Sequence, residues 1–147
     1  MIGFIKRLLD AEPTEVVTEH DAHLAMAALL VRVARADWDY SELEKARIDS
    51  ILAARYQLTA SDAAALRAEA EEAELEAADV VQFTRAVKKA VNLDERDGVI
   101  EALWELVLSD GDRAHEEDTA LRKIAPLLGI NDVDNARARQ RVQARLG

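Results

Sequence analysis

Apolar residues recur at helical spacing along most of this chain, and short polar breaks divide them into blocks. Residues 2–9 form a short amphipathic block, with Ile2, Ile5 and Leu9 on one side and Phe4 and Leu8 beside them. Pro13 and its polar neighbours read as a linker. A long helix is predicted from Asp21 to Ala36, apolar nearly all round between Leu24 and Val31, the mark of a central, buried helix. Another is predicted from Ser41 to Tyr56, with Leu43, Ile48, Ile51 and Leu52 inward. Past the break at 58–61, with Ser61 as cap, an Ala-rich helix carries Glu69, Glu71, Glu72, Glu74 and Glu76, a run that reads as a solvated face. Asp79 to Val91 sets Val80, Phe83, Val87 and Val91 at helical spacing. Asp94 is placed to cap a second long apolar helix, Glu95 to Ser109. A further helix runs to Leu128 with Gly129 as its stop, and the last, Val133 to Leu146, carries Arg137, Arg139, Arg141 and Arg145. No strand pattern competes, so the fold class is all-α, a helical bundle.

Within that pattern an acidic signature occurs twice. Asp37-Trp38-Asp39 leads to Glu44, and Asp110-Gly111-Asp112 leads to Glu117; both fit D-x-D-x-x-x-x-E. The differences 110−37, 112−39 and 117−44 are each 73, and Ala34/Val107, Ile48/Leu121 and Ile51/Ile124 share that offset. Each copy joins a long apolar helix to an amphipathic one. A fixed offset of this kind predicts two pseudo-symmetric helix–acidic turn–helix halves. The chain of 147 residues then forms one domain, with residues 1–20 a short helix and linker and 21–147 the bundle.

Composition narrows the chemistry. Two Pro and five Gly leave few helix breakers. The absence of Cys removes disulfides, thiolate metal sites and a Cys nucleophile, and fits a reducing cytoplasm. With 29 acids against 19 bases the net charge is −10, which repels phosphate backbones and argues against nucleic acid as partner. It favours cations and basic partners. No run approaches the roughly 18 apolar residues a membrane span needs. The 2–9 block is broken by Lys6 and Arg7, so it is no signal peptide; docking on the bundle or grasping a partner suits it better than contact with a membrane surface.

The doubled acids admit two readings. Ser41-x-x-Glu44 is a capping box, and Asp37, Asp39 and Asp112 suit the positive ends of helices; caps of this kind contribute about 1 kcal/mol and need no ligand. Yet the second copy has Ala114 where a capping Ser belongs and still keeps Glu117. One acid would cap a helix, whereas three recur together. The other reading pools Asp37, Asp39, Glu44, Asp110, Asp112 and Glu117 as oxygen ligands of a divalent cation. The Glu spacing is not that of an EF-hand, calcium tolerates irregular oxygen sites better than magnesium, and zinc is disfavoured without thiolates. His20-x-x-His23 lacks the spacing of a metal-binding helix pair and reads as a solvated helix end. No nucleophile–base constellation or phosphate-binding Gly-rich loop is visible, so neither an enzyme activity nor an organic cofactor is predicted.

These residues resemble the TerB-like family, named for the tellurite-resistance protein TerB. The resemblance rests on the doubled order of apolar helix, acidic turn and amphipathic helix. It includes Ala34-Arg35-Ala36-Asp37 and Leu108-Ser109-Asp110-Gly111, and the stretches Glu95 to Leu103-Trp104 and Arg122 to Gly129 resemble a bacterial subfamily. It implies a TerB-like helical bundle of two halves and an acidic surface holding a divalent cation through the six acids above. It also implies a link to stress responses, and the leading expectation is a non-enzymatic, cytoplasmic sensing or interaction module in such a response. The alternative is a ligand-free adaptor whose acids only cap helices. Trp38 departs from the family's turn Gly and, because Trp is strained at positive φ, points to the second turn as the better cation site. The arginine-rich last helix suits an acidic patch on this chain or on a second copy, in a homodimer, and the partner protein is otherwise open.

Overall fold

The structure, a computed structural model, describes residues 3, 4, 6, 9, 18–37, 40–76, 80–91, 95–109 and 115–146. Among them are seven helices and no strand: α1 Glu19–Ala34, α2 Glu42–Tyr56, α3 Ala60–Leu75, α4 Val80–Ala90, α5 Arg96–Ser109, α6 His115–Leu127 and α7 Asp132–Leu146. A single 3-10 turn, Arg35–Asp37, continues α1. The all-α architecture matches the periodicity.

Four helix starts follow one local rule. Thr18, Ser41, Thr59 and Asn131 each accept a hydrogen bond through the side-chain oxygen from the backbone N–H three residues on, at 3.0, 3.2, 3.1 and 2.8 Å. The donors belong to Asp21, Glu44, Asp62 and Asp134, so each first turn also places an acid at the positive end of the helix dipole. Thr59, not Ser61, is therefore the cap of α3. The signature was present in Thr59-x-x-Asp62, two residues before the Ser that drew the prediction.

The repeat extends beyond the helix–turn–helix unit. Gln57 ends α2 in the left-handed region at φ 55°, and Gly129 follows α6 at φ 82°. Leu58 N–H donates to the Ala53 carbonyl, and Ile130 N–H to that of Ala125, both at 3.0 Å. Caps, turns and bonds in this part correspond at an offset of 72, one less than the acids. Each half is thus three helices, α1–α2–α3 and α5–α6–α7, with α4 between them.

The long helices lie inside, as their all-round apolar sequence requires. α1 packs against α2, α3, α4, α5 and α6, and α5 packs against α7, α6, α1 and α2. Every residue of α1 from Leu24 to Val31 is buried. Leu29, Leu30, Ile48, Leu52, Phe83 and Leu103 are wholly inside. Each large side chain of this kind contributes about 1.5–3 kcal/mol relative to leaving it in water. Phe4 joins the same core, and Lys89 Nζ donates to the Leu9 carbonyl at 2.6 Å, so Phe4 and Leu9 both meet the bundle.

One core position reverses the pattern-based expectation. Leu43 is 60% exposed, whereas Glu44 is 6% exposed. The inward face of α2 is 44, 48, 51 and 52, at i, i+4, i+7 and i+8, and position 43 falls about 100° away from it.

Candidate acidic-turn site

Of the six acids, Asp37 ends the 3-10 turn, Glu44 sits in the first turn of α2, and the backbone of Glu117 lies in the first turn of α6. Asp39, Asp110 and Asp112 lie outside the described residues, as does Trp38. The 3-10 turn packs against α6, so the element carrying Asp37 meets the element carrying Glu117. Among the described residues no group of three or more His, Cys, Asp or Glu gathers as a metal-holding cluster. A shallow cleft of about 260 Å³ opens between α2, α5 and the end of α7; Arg47, Ser50 and Glu105 line it, and it reaches Ser109, just before the second acidic turn.

The first turn is held by a charged belt that the helical pattern did not announce. Glu74 on α3, with its side chain 7% exposed, accepts from Arg32 Nη1 at 3.1 Å and from Arg35 Nη1. Arg35 also donates to the Glu71 carbonyl at 3.4 Å, and its guanidinium lies over the Tyr40 ring at 5.1 Å. Lys45 Nζ lies 5.3 Å from the same ring. Arg67 links Asp49 at 2.6 Å and Glu71 at 3.3 Å. Arg35 and Tyr40, which flank Asp37-Trp38-Asp39 in the sequence, thus meet through a cation–π contact. Burial, reinforced by the Glu71 carboxylate, drives the Tyr40 phenol above its ordinary value. Although burial of Arg67 works against its charge, Asp49 and Glu71 outweigh it and hold the guanidinium above its usual value.

The acidic run of α3 is therefore not one solvated face. Glu74 follows Ala63, Leu66, Ala70 and Ala73 on the buried side, at helical spacing. That register was the available signal, obscured because the run reads as a block of like charge. The second half has Glu105, Leu108 and Arg113 where the first has Arg32, Arg35 and Tyr40, at the 73 offset, so it does not repeat this belt. Its own tie is polar and aromatic: Trp104 Nε1–H donates to Asn135 Oδ1 at 2.8 Å, with the Arg139 guanidinium 5.1 Å from the Trp104 ring.

The two histidines diverge. His20 Nε2 lies 3.0 Å from Glu69 Oε2 on α3, whereas the His23 ring stacks on Tyr56, with centroids 3.7 Å apart and planes at 20°. They take different partners, which fits helix-end contacts rather than a joint ligand pair. Arg141 on α7 meets Glu101 on α5 at 3.2 Å, so the arginine-rich helix finds one acid within its own chain.

No helix among the described residues is long and apolar enough to cross a membrane. Comparison with curated proteins and with solved structures gives no match. The family model for tellurite resistance protein TerB matches residues 23–140, which takes in both acidic turns and most of the bundle, and the chain belongs to that family.

Proposed function

We propose that this TerB-family chain is a non-enzymatic, cytoplasmic protein whose acidic turns together hold a divalent cation, and that it serves as a sensing or interaction module in a stress response. The contact between the 3-10 turn of the first half and α6 of the second carries the reading. It sets the elements bearing Asp37 and Glu117 against each other, as pooling of carboxylates from both copies requires. The donor chemistry fits a hard cation: the ligand set is carboxylate oxygen, with no thiolate in the chain. Calcium suits such an irregular set better than magnesium or zinc. Asp37, Asp39, Glu44, Asp110, Asp112 and Glu117 would supply the oxygens, and the cation would tie the two halves together at their turns. Isothermal calorimetry with calcium tests this. Uptake that is lost in Asp110→Ala or Asp112→Ala is expected, and a flat titration at millimolar calcium sinks it.

The Ser41 hydroxyl favours a second reading. Its bond to the Glu44 amide caps α2 without any ligand. On that reading the chain is a ligand-free adaptor, and Asp→Asn changes in both turns leave partner binding intact and cost little stability. A flat calcium titration together with unchanged melting of those variants selects it.

A further inference from the structure

We propose that the chain associates with a second copy of itself, the outer face of α7 of one copy docking on the outer face of α3 of the next. The contact is separate from the cation reading above and stands on the shapes and charges of two helices.

α3 and α7 hold equivalent places in the two halves, as their caps show: 131−59 and 134−62 are both 72. α3 packs on α1 and α2, and α7 packs on α5, which leaves each with an outward face. On α3 that face is Asp62, Ala65, Glu69, Glu72 and Glu76, all exposed and spaced three or four apart. No base interrupts it. On α7 the exposed Arg137, Arg141 and Arg145 stand four apart, again with no acid among them. Position 69 corresponds to 141 at the 72 offset, so Glu69 and Arg141 occupy the same slot with opposite charge. Duplicated helices have diverged into complementary faces on one chain.

The basic stripe is shorter than the acidic one, which runs about 21 Å from Asp62 to Glu76, and matches its C-terminal half. Seven residues separate Glu69 from Glu76, about 10 Å of helix, and eight separate Arg137 from Arg145, about 12 Å. Exposed apolar side chains border both: Leu75 is 72% exposed beside the acidic stripe, and Val133 is 58% exposed one helical turn before Arg137. Internal ties take only part of this charge. Glu69 meets His20, the Glu76 carboxylate lies against Gly3 and Arg141 meets Glu101, whereas Glu72, Arg137 and Arg145 have no ion pair among the described residues. The net charge of −10 opposes association at long range. Salt screens that repulsion beyond about 8–10 Å, while pairs in contact are screened less. A contact of unlike faces uses up one face of each sign per copy.

Sedimentation of the full chain tests the proposal, at about 20 mM and about 500 mM salt across a concentration series. Concentration-dependent association at low salt, weakened at high salt, is expected. The α7 reversal Arg137→Glu with Arg145→Glu weakens it on the order of tenfold or more, and so does the α3 reversal Ala65→Lys with Glu72→Lys. Neither set touches a buried residue, and circular dichroism confirms helix content in each. All four substitutions together restore association. A monomer at every concentration overturns the proposal, as does an assembly indifferent to both reversals. An assembly broken only by the α7 reversal also overturns it, because the arginines then have another acidic partner.

Discussion

Glu74 receives Arg32 and Arg35 together, and through that one carboxylate the end of α1 and the first acidic turn are fastened to α3. The pair spans 42 residues to Arg32 and 39 to Arg35. Its effect is local: it fixes where the chain leaves α1, while Arg35 over Tyr40 fixes where it re-enters α2.

Glu74→Gln should therefore destabilise the fold by about 2 kcal/mol. Loss of a buried partner costs about 3–5 kcal/mol, and the arginines, 29% and 28% exposed, regain part of this from water. Urea unfolding followed by circular dichroism measures it. Glu72→Gln, on the exposed face of the same helix, should change stability by less than about 0.5 kcal/mol. Equal effects at the two sites would mean that Glu74 is not buried.

The left-handed C-termini give a paired test. Gly129 lies at φ 82°, where any Cβ is strained, so Gly129→Ala should cost about 1 kcal/mol. Gln57 already bears that strain at φ 55° in the corresponding place, and Gln57→Gly should stabilise by several tenths of a kcal/mol up to about 1. Opposite signs in thermal melts are the expected result.

Trp104 and Asn135 should couple in a double-mutant cycle. Trp104→Phe keeps most of the ring packing and removes the donor to Asn135 Oδ1, at about 1–2 kcal/mol. Asn135→Ala leaves the indole N–H without that acceptor at similar cost. The double variant should be less destabilised than the sum of the two, by about 1 kcal/mol. Additive losses would mean that the bond contributes nothing.

Alkaline titration should expose the two tyrosines. Burial pushes the Tyr56 phenol up to about 12 from 10.0, aided by Glu95 and opposed by Arg55, and the Tyr40 phenol is also raised. The folded state therefore favours the neutral phenols. Their stabilising contribution is fully present below pH 10 and is lost as pH rises through 12 for Tyr56. Phenolate absorbance should be small at pH 10 in the folded protein, where a free tyrosine is half ionised, and should rise together with unfolding. Half-ionisation at pH 10 with the helices intact would rule out the buried state.

The candidate site was legible only in part. The doubled acids could be read as turns because each follows an apolar helix and precedes an amphipathic one, and the Ser41 cap lies where its motif puts it. The meeting of the 3-10 turn with α6 could not be read, since it depends on how the halves pack. Glu74 was hidden for a related reason. Its inward register was present in Ala63, Leu66, Ala70 and Ala73, but the arginines that make burial of its charge tolerable lie on another helix.

Periodicity along the chain is enough to specify an all-α protein in two similar halves with α1 and α5 at the centre. Helical periodicity is local, the breakers are few, and helices apolar on every side have nowhere to go but inside. Tertiary structure decided that Glu44 turns in while Leu43 turns out, that His20 goes to Glu69 and His23 to Tyr56, and that the repeat includes a third helix. The two histidine contacts join residues far apart in the chain, His20 to Glu69 across 49 residues. A buried charge is stable only where its counter-charge arrives, and an exposed face is defined only by what the rest of the chain leaves uncovered.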